Sequence, residues 1–187
     1  MVNNQSILEG VLIIILLTLS TSCSSLETSL KPCSKYKLEK TIVNEEMDIS
    51  LQISNNWAVE SIENDKSKLL SILVLDTSNV GLVGIGIYNI HKDLNFDIEI
   101  SSFEKIIRDT INNGDIKLNG IKYQWLLASE ESHGDGQIIN HLNLYKRKDR
   151  KSFYLIQITT KSVLLKDSFD NILCKVIDFL NSIKYIK

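Results

Sequence analysis

The closing stretch FDNILCKVIDFLNSI, residues 169–183, has the most regular apolar pattern in the chain. Its apolar side chains recur at three- and four-residue spacing, which places them on one broad stripe of a helix, with Asp170, Lys175 and Asp178 towards the other side. So wide an apolar stripe is unstable in water and needs an apolar surface to cover it. We therefore expect a helix here that packs on a β-sheet. The stripe comprises Phe169, Ile172, Leu173, Val176, Ile177, Leu180 and Ile183.

The segments that precede this helix are predicted to be strands. Residues 121–129, 137–146 and 153–160 are rich in apolar and β-branched side chains, and the first two are joined through a turn that contains Gly134, Asp135 and Gly136. Further back, residues 69–75 and 82–90 flank a polar connection that favours a tight turn. Residues 69–75 and 82–90 are therefore predicted to form an antiparallel pair of strands.

An alternating segment opens the predicted domain. Within residues 47–53, apolar side chains alternate with polar ones, the period of a strand that buries one face. Asn55 and Asn56 are typical of a turn, Trp57 follows, and residues 58–62 are predicted to form a short partner strand for the first.

A second helix is predicted between the two sets of strands. Apolar side chains recur at three- and four-residue spacing from Phe103 to Ile111. Ser101 and Glu104 have the spacing of a capping box, and residues 113–114, Asn-Gly, are typical of a helix end. Strands with short connections, one internal helix and a longer closing helix together predict an α+β domain, in which helices cover an antiparallel β-sheet.

Cys23 carries the main indication of location. It follows an apolar run at residues 11–19 and the small residues 20–22, as in a bacterial lipoprotein signal. In such a protein the signal is removed and the cysteine becomes the lipid-bearing first residue. The run is shorter than the roughly 20 residues of a membrane-spanning helix. An ordinary secretory signal or an uncleaved anchor stays open, because Glu9 stands where a basic residue is usual.

The domain organisation follows from this interpretation. Residues 1–22 are the signal peptide, and residues 23–40 are the lipidated cysteine and a tether, since they contain the only proline, Pro32, and no sustained periodicity. Residues 41–187 are then a single domain, of a length that can bury a real core. We expect a protein in the bacterial envelope, held to the membrane through lipid on Cys23, on the periplasmic or cell-surface side.

The charge balance gives no electrostatic basis for binding nucleic acid, since 21 basic and 23 acidic residues leave a formal net charge of −2. Basic residues do gather within residues 146–151, but Asp149 interrupts them and apolar strands flank them. A solvated hairpin turn is favoured over a phosphate-binding patch.

Residues that often carry chemistry are scattered. His91, His133 and His141 show no metal-ligand spacing, and no nucleophile elbow surrounds a serine or cysteine. Gly84 and Gly86 lie within the predicted strand at residues 82–90, and Gly81 directly precedes it. We expect these glycines to let a helix or an aromatic ring lie close to the sheet rather than to bind phosphate. No catalytic residue, metal or cofactor is predicted.

The other two cysteines, Cys33 and Cys174, lie in the tether and off the centre of the closing stripe. In an oxidising envelope they can form a disulfide that fastens the tether to the last helix. The alternative is two unpaired thiols, because a sequence does not give the distance between them.

Three short segments carry a resemblance to a known family: ISLQISNNW at residues 49–57, NGIKY at 119–123 and FLNSIK at 179–184. They resemble the PsbP-like superfamily, although Asn55 stands where that superfamily often has proline. The superfamily includes photosystem subunits, a Ran-binding nuclear import factor and bacterial lipoproteins. The resemblance implies an α/β/α sandwich over about residues 43–187 that binds proteins, and it brings no catalytic set.

The function expected from these observations is that of a non-enzymatic, lipid-anchored domain that binds or assembles with an unidentified protein partner. The exposed sheet face and the loop His133, Gly134, Asp135 and Gly136 are the candidate contact regions. Two alternatives remain: an immunity or defence lipoprotein that covers a toxin's active surface, and an enzyme whose site is assembled by the fold.

Overall fold

The structure is a computed structural model. It describes residue 32 and residues 36–64, 67–74, 81–106, 111–131, 137–163 and 168–186. In chain order the elements are β1 (Lys40–Asn44), a 3-10 turn (Glu45–Met47), β2 (Ile49–Ile53), β3 (Trp57–Asn64), β4 (Ser67–Val74), β5 (Leu82–Ile90), α1 (Phe96–Ile106), β6 (Ile111–Leu118), β7 (Ile121–Glu131), β8 (Gln137–Arg147), β9 (Phe153–Val163), α2 (Phe169–Ser182) and β10 (Lys184–Tyr185). None of the helices in these ranges is long and apolar enough to cross a membrane.

The strands form two antiparallel sheets. The large sheet has seven strands in the order β3-β4-β5-β9-β8-β7-β6, and the small sheet has three in the order β1-β2-β10. Pairing is antiparallel wherever the register is described. The prediction of an α+β protein built on antiparallel sheet is therefore confirmed, as are the pairs β4–β5 and β7–β8.

Helix α2 buries its apolar stripe in the main core, as the pattern predicts. Ile172, Leu173 and Val176 are almost completely buried in the main core, together with residues of β2, β5 and β9. The helix begins at Ser168, whose Oγ accepts a hydrogen bond from the Asn171 backbone N–H at 3.2 Å. This cap satisfies one of the free amides of the first turn.

Helix α1 belongs to a second core cluster, whose strand residues alternate with those of the main core. Leu94, before the helix, is buried with Tyr145 and Phe153 in this cluster, and Phe96 and Ile100 pack against it. We refer to the face of the large sheet towards α2 as the inner face and to the face towards α1 as the outer face.

The predicted boundaries of α1 are wrong at both ends. The helix begins at Phe96, and the Asn95 side-chain oxygen accepts a hydrogen bond from the Ile98 N–H at 3.3 Å, so the predicted capping box starting at Ser101 lies inside the helix. The Asn113-Gly114 pair, predicted to end it, lies within β6, where Gly114 is opposite Trp125. A cross-strand partner in β7 outweighs the local preference of Asn-Gly for a helix end.

The predicted pairing of residues 47–53 with residues 58–62 is also wrong. β2 pairs with β1 and β10, whereas β3 is the edge strand of the large sheet and pairs with β4. The predicted turn between them exists, since the Trp57 N–H donates to the Ser54 carbonyl at 3.1 Å, but it carries the chain from one sheet to the other.

Packing on the core reaches back beyond the predicted start of the domain at residue 41. Tyr36 and Leu38 pack against the main core, and the Glu39 N–H donates to the Ile53 carbonyl at 2.9 Å, which extends the pairing of β1 with β2. The last part of the predicted tether is thus part of the folded structure.

Candidate functional site

The two faces of the large sheet differ in how they are covered. Side chains alternate along each strand, so Ile85 and Ile87 of β5 and Ile156 of β9 point to the inner face and are buried in the main core. Gly84 and Gly86 of β5, which alternate with those isoleucines, lie on the outer face. The second core cluster, which includes Phe96 and Ile100 of α1, occupies one end of the outer face. The candidate site lies at the other end.

The register of the strands defines two rows of residues across that end. One row runs Ala58, Leu73, Gly84, Thr159 and His141, and the next runs Glu60, Ser71, Gly86, Gln157 and Asn143. The first row is apolar on β3 and β4 and polar on β9 and β8, the second row is polar on all four of these strands, and glycine occupies the position on β5 in each. The middle of this surface is therefore lower than its two sides.

The low region is a depression of about 230 Å³ that opens to solvent. Its lining on the outer face includes Leu69, Leu73 and Tyr88 and the polar side chains of Ser71, Gln157 and Thr159. Leu73 is 52% exposed, and Ile62, opposite Leu69 in the register, is 43% exposed. We call Ile62, Leu69, Leu73 and Tyr88 the open patch.

Gly86 makes room for an aromatic ring beside the depression. A Cβ atom at this position would lie 2.9 Å from Cε2 of Tyr88, closer than real Cβ contacts. The Tyr88 hydroxyl also donates to Oε1 of Gln157 at 3.4 Å, which orients the ring. The expectation that these glycines admit an aromatic ring is confirmed for Gly86. Gly81 differs, since its φ of +65° is a conformation that glycine adopts readily.

His141 contacts the carboxylate of Glu130 on the same face. Its Nε2 lies 3.2 Å from Oε1 of Glu130, and the two side chains are 20% and 47% exposed. The predicted partly exposed sheet position of His141 is confirmed. A pair this accessible to water contributes little to stability and is typical of a sheet surface.

A buried amide lies next to this pair. Asn143 is fully buried, and its Nδ2 donates to the Tyr145 hydroxyl at 3.4 Å, whereas its Oδ1 accepts no hydrogen bond within the described part of the chain. Burial raises the pKa of Tyr145 well above its usual range, so this hydroxyl stays protonated.

The residues singled out from the sequence do not meet in one site. Cys23, Cys33 and His133, and with them the loop residues Gly134, Asp135 and Gly136, lie outside the described residues. His91 is exposed just after β5, away from His141 on β8. No group of three or more histidine, cysteine or acidic side chains in the described ranges is placed to hold a metal ion.

Cys174 is half-buried on α2 and is disulfide-bonded. This is consistent with one half of the predicted disulfide; the predicted partner, Cys33, lies outside the described residues.

The predicted hairpin turn among the basic residues is confirmed, since residues 147–151 are exposed between the paired strands β8 and β9. Oδ2 of Asp149 accepts a hydrogen bond from the Ser152 hydroxyl at 2.7 Å. This bond holds the pKa of the Asp149 carboxyl below its usual value, and a bond from the Lys151 N–H adds to the effect. Nζ of Lys148 lies 2.6 Å from a carboxylate oxygen of Asp48.

Sequence reasoning missed a cluster of tyrosines on the inner face. The hydroxyls of Tyr123 and Tyr185 are 3.1 Å apart, and the rings of Tyr154 and Tyr185 have centroids 4.8 Å apart. The Tyr154 hydroxyl donates to the Met47 carbonyl at 2.8 Å. These contacts hold the short strand β10 and the 3-10 turn on the large sheet. The three tyrosines are distant in sequence, and no local pattern joins them.

Lys146 lies over this tyrosine cluster, with Nζ 3.9 Å from the centroid of the Tyr185 ring. Burial lowers the pKa of Lys146, and the neighbouring charge of Lys148 lowers it further. Burial also raises the pKa values of Tyr123, Tyr154 and Tyr185. We interpret the cluster as a structural contact between the two sheets, because its tyrosines bond to one another and to the backbone.

Comparison with protein families and with curated proteins found no match to this chain. Among solved structures, a crystal structure of a protein from Bacteroides thetaiotaomicron VPI-5482 is similar, with a TM-score of 0.50 and 9% sequence identity. The similarity covers 81% of this chain and 50% of that one, so the chain spans about half the length of the protein it matches. At this identity the similarity concerns the fold alone.

Proposed function

We propose that this protein is a lipid-anchored lipoprotein of the bacterial envelope that binds a protein partner through the outer face of its large sheet, without catalysing a reaction. The open patch is the observation that carries the proposal. Ile62 and Leu73 expose 43% and 52% of their surface. Leu73 lines the depression over Gly84 and Gly86, and Ile62 lies opposite Leu69, which also lines it.

The surroundings of the open patch have the composition of an interface. Protein interfaces combine an apolar centre with a polar, solvated rim. The exposed side chains of Glu60 and Lys161 lie on β3 and β9, the strands that flank β4 and β5, and the polar side chains of Ser71 and Thr159 line the depression. The depression can accept an apolar side chain of a partner, and the polar side chains can bond to its backbone.

A catalytic interpretation has less support at this site. An enzyme site needs a nucleophile, acid or base that converges with other polar groups in one pocket. Tyr88 is the one ionisable side chain among the described residues that line the depression, and it is bonded to Gln157. His141 is paired with the solvated carboxylate of Glu130.

The finer architecture that we propose is an α/β/α sandwich of the PsbP-like type. The contribution of α2 and α1 to separate core clusters on opposite faces of the large sheet supports it. Resemblance to that superfamily rests on the short segments at residues 49–57, 119–123 and 179–184, and protein binding is the use that it implies.

The membrane anchor that we propose is lipid on Cys23. Each buried methylene contributes roughly 0.8 kcal/mol, so two or three acyl chains would hold the domain on a bilayer without a spanning helix. Replacing Cys23 by serine should block lipid attachment. Mass spectrometry of the native protein should show a lipidated amino-terminal peptide, and an unmodified Cys23 would remove this part of the proposal.

Site-specific photo-crosslinking in the native cell tests the binding face. A benzophenone amino acid at position 73 on the open patch should give a discrete crosslinked protein, whereas the same group at position 171, exposed on α2, should not. Both side chains are exposed to solvent, so a difference in crosslinking reflects the face of the protein on which they lie. Equal crosslinking from both positions, or from position 171 alone, would refute the assigned face.

A further inference from the structure

The amino-terminal segment joins the folded structure on the side of α2. The Tyr36 ring packs edge-on against Trp57 with centroids 5.1 Å apart, and Trp57 lies 5.7 Å from Phe179 of α2. Trp57 and Phe179 are almost completely buried in the main core on the inner face. Tyr36 therefore lies on the inner side of the large sheet, opposite the open patch.

A disulfide on α2 is a second observation on this side of the protein. The chain has three cysteines, and Cys174 is disulfide-bonded. The other two, Cys23 and Cys33, both precede Tyr36. A bond to either of them would link the amino-terminal segment to α2, the helix that Tyr36 approaches through Trp57.

We propose that a disulfide between Cys33 and Cys174 turns the α2 side of the domain towards the membrane lipid surface and the open patch away from it. This inference rests on the proposed lipid anchor, because a lipidated Cys23 has its sulfur in a thioether and cannot form the disulfide. Cys33 is then the cysteine that remains for Cys174.

The length of the tether limits how far α2 can lie from the membrane. A chain extends by at most about 3.6 Å per residue, so the segment from Cys23 to Cys33 spans no more than about 36 Å. With one end in the bilayer and the other bonded to α2, the inner side of the domain is held within that distance of the headgroups. The outer face, on the other side of the sheet, then points into the compartment where a partner can reach it.

The disulfide forms by thiol–disulfide exchange. The thiols of Cys33 and Cys174 lose two protons and two electrons, and a disulfide oxidoreductase of the envelope accepts them and becomes a dithiol. One S–S bond forms in this protein and one breaks in the oxidoreductase, so the exchange is balanced.

Peptide mapping of the full-length protein, purified from membranes without reduction, tests the connectivity. We expect a peptide that links Cys33 to Cys174 and a separate lipidated peptide that begins at Cys23. A link between Cys23 and Cys174 would overturn both this inference and the lipid anchor. A free Cys174 beside a lipidated Cys23 would overturn the inference and leave the anchor intact.

Photo-crosslinking to lipid tests the orientation. The lipidated protein is placed in vesicles of phosphatidylethanolamine and phosphatidylglycerol, with benzophenone at position 171 on α2 or at position 73 on the open patch. We expect several-fold more lipid adduct from position 171. In the Cys33→Ser, Cys174→Ser double variant this excess should shrink, since the tether is held by Tyr36 alone. Equal yields from both positions in the disulfide-bonded protein, or more adduct from position 73, would contradict the orientation.

Discussion

The inner and outer faces of the large sheet belong to the same strands, yet they differ in what covers them. On the inner face, Leu173 of α2 is completely buried in the main core, which also contains the isoleucines of β5 and β9. On the outer face, Leu73 of β4 is 52% exposed beside two glycines. Burial of apolar surface stabilises the fold only where a second layer exists. The inner face therefore carries the stability, and the open part of the outer face is available for binding.

Matched leucine truncations should give the largest difference between the faces. Leu173→Ala should lower the free energy of unfolding by about 2–5 kcal/mol, because it removes buried methyl groups and leaves a cavity. Leu73→Ala should change it by about 0.5 kcal/mol or less, as is usual for surface substitutions. Chemical denaturation followed by tryptophan fluorescence measures both. Equal losses would show that the outer position is covered.

Val176 offers a second probe of the inner face, with Val43 as its exposed counterpart. Val176 is 1% exposed and Val43 is 57% exposed. Val176→Ala should lower stability by roughly 1–2 kcal/mol, since it removes fewer buried atoms than the leucine change, and Val43→Ala should have little effect. An unchanged denaturation midpoint for Val176→Ala would contradict the assigned stripe of α2.

Loss of the disulfide on α2 should destabilise the protein about as much as Leu173→Ala does. Cys174→Ser should lower the free energy of unfolding by about 2–5 kcal/mol, because a closed loop restricts the unfolded chain. The control is the wild-type protein in reducing agent, which should show the same loss. If neither Cys174→Ser nor the reducing agent changes the free energy of unfolding, the bond does not form in the native protein.

Alkaline titration should destabilise the inner face through its tyrosines. Burial raises the pKa values of Tyr123 and Tyr185 above 10 in the folded protein, so the unfolded chain releases these protons first. Their contribution to stability is complete below pH about 10 and is lost as the pH rises above it. The denaturation midpoint should therefore decrease as the pH rises above about 10, and it should decrease less steeply in Tyr185→Phe. A slope unchanged by that substitution would exclude Tyr185 as a source.

On the outer face, Gly86→Ala should have the smallest effect on folding. The added Cβ would meet the Tyr88 ring at 2.9 Å, and this ring is half-buried and can turn towards solvent. We expect a change in stability within about 1 kcal/mol, since strand glycine is itself unfavourable. A loss of several kcal/mol would show that the Tyr88 ring is held as firmly as a core side chain.

The sequence predicted those elements whose signal is local. The period of α2 was visible because its stripe is continuous, and β4–β5 and β7–β8 are neighbours in sequence. The pairing of β2 was not predictable, because its partners are a strand that begins in the assumed tether and β10, which has two residues. The start of α1 was missed because Asn95 and Phe96 lie before the periodic residues that defined the helix.

The candidate site was predicted only as an exposed sheet face. Which strands present it depends on the sheet order, where β9 lies between β5 and β8 and brings Thr159 and Gln157 beside the glycines. That order joins segments far apart in sequence. A single sequence gives alternation along each strand but not the neighbour of each strand.

The affinity of the crosslinked partner for two matched variants tests the central claim most directly. Leu73→Asp places a charge on the open patch, and Asn171→Asp places the same charge on the exposed side of α2. With the partner purified and both variants shown to be folded, we predict that Leu73→Asp weakens binding at least about tenfold, or 1.4 kcal/mol, because a charge would be buried in the interface. Asn171→Asp should bind as the wild type does. Unchanged affinity for Leu73→Asp, or a selective loss in Asn171→Asp, would contradict the assignment of the outer face as the binding surface.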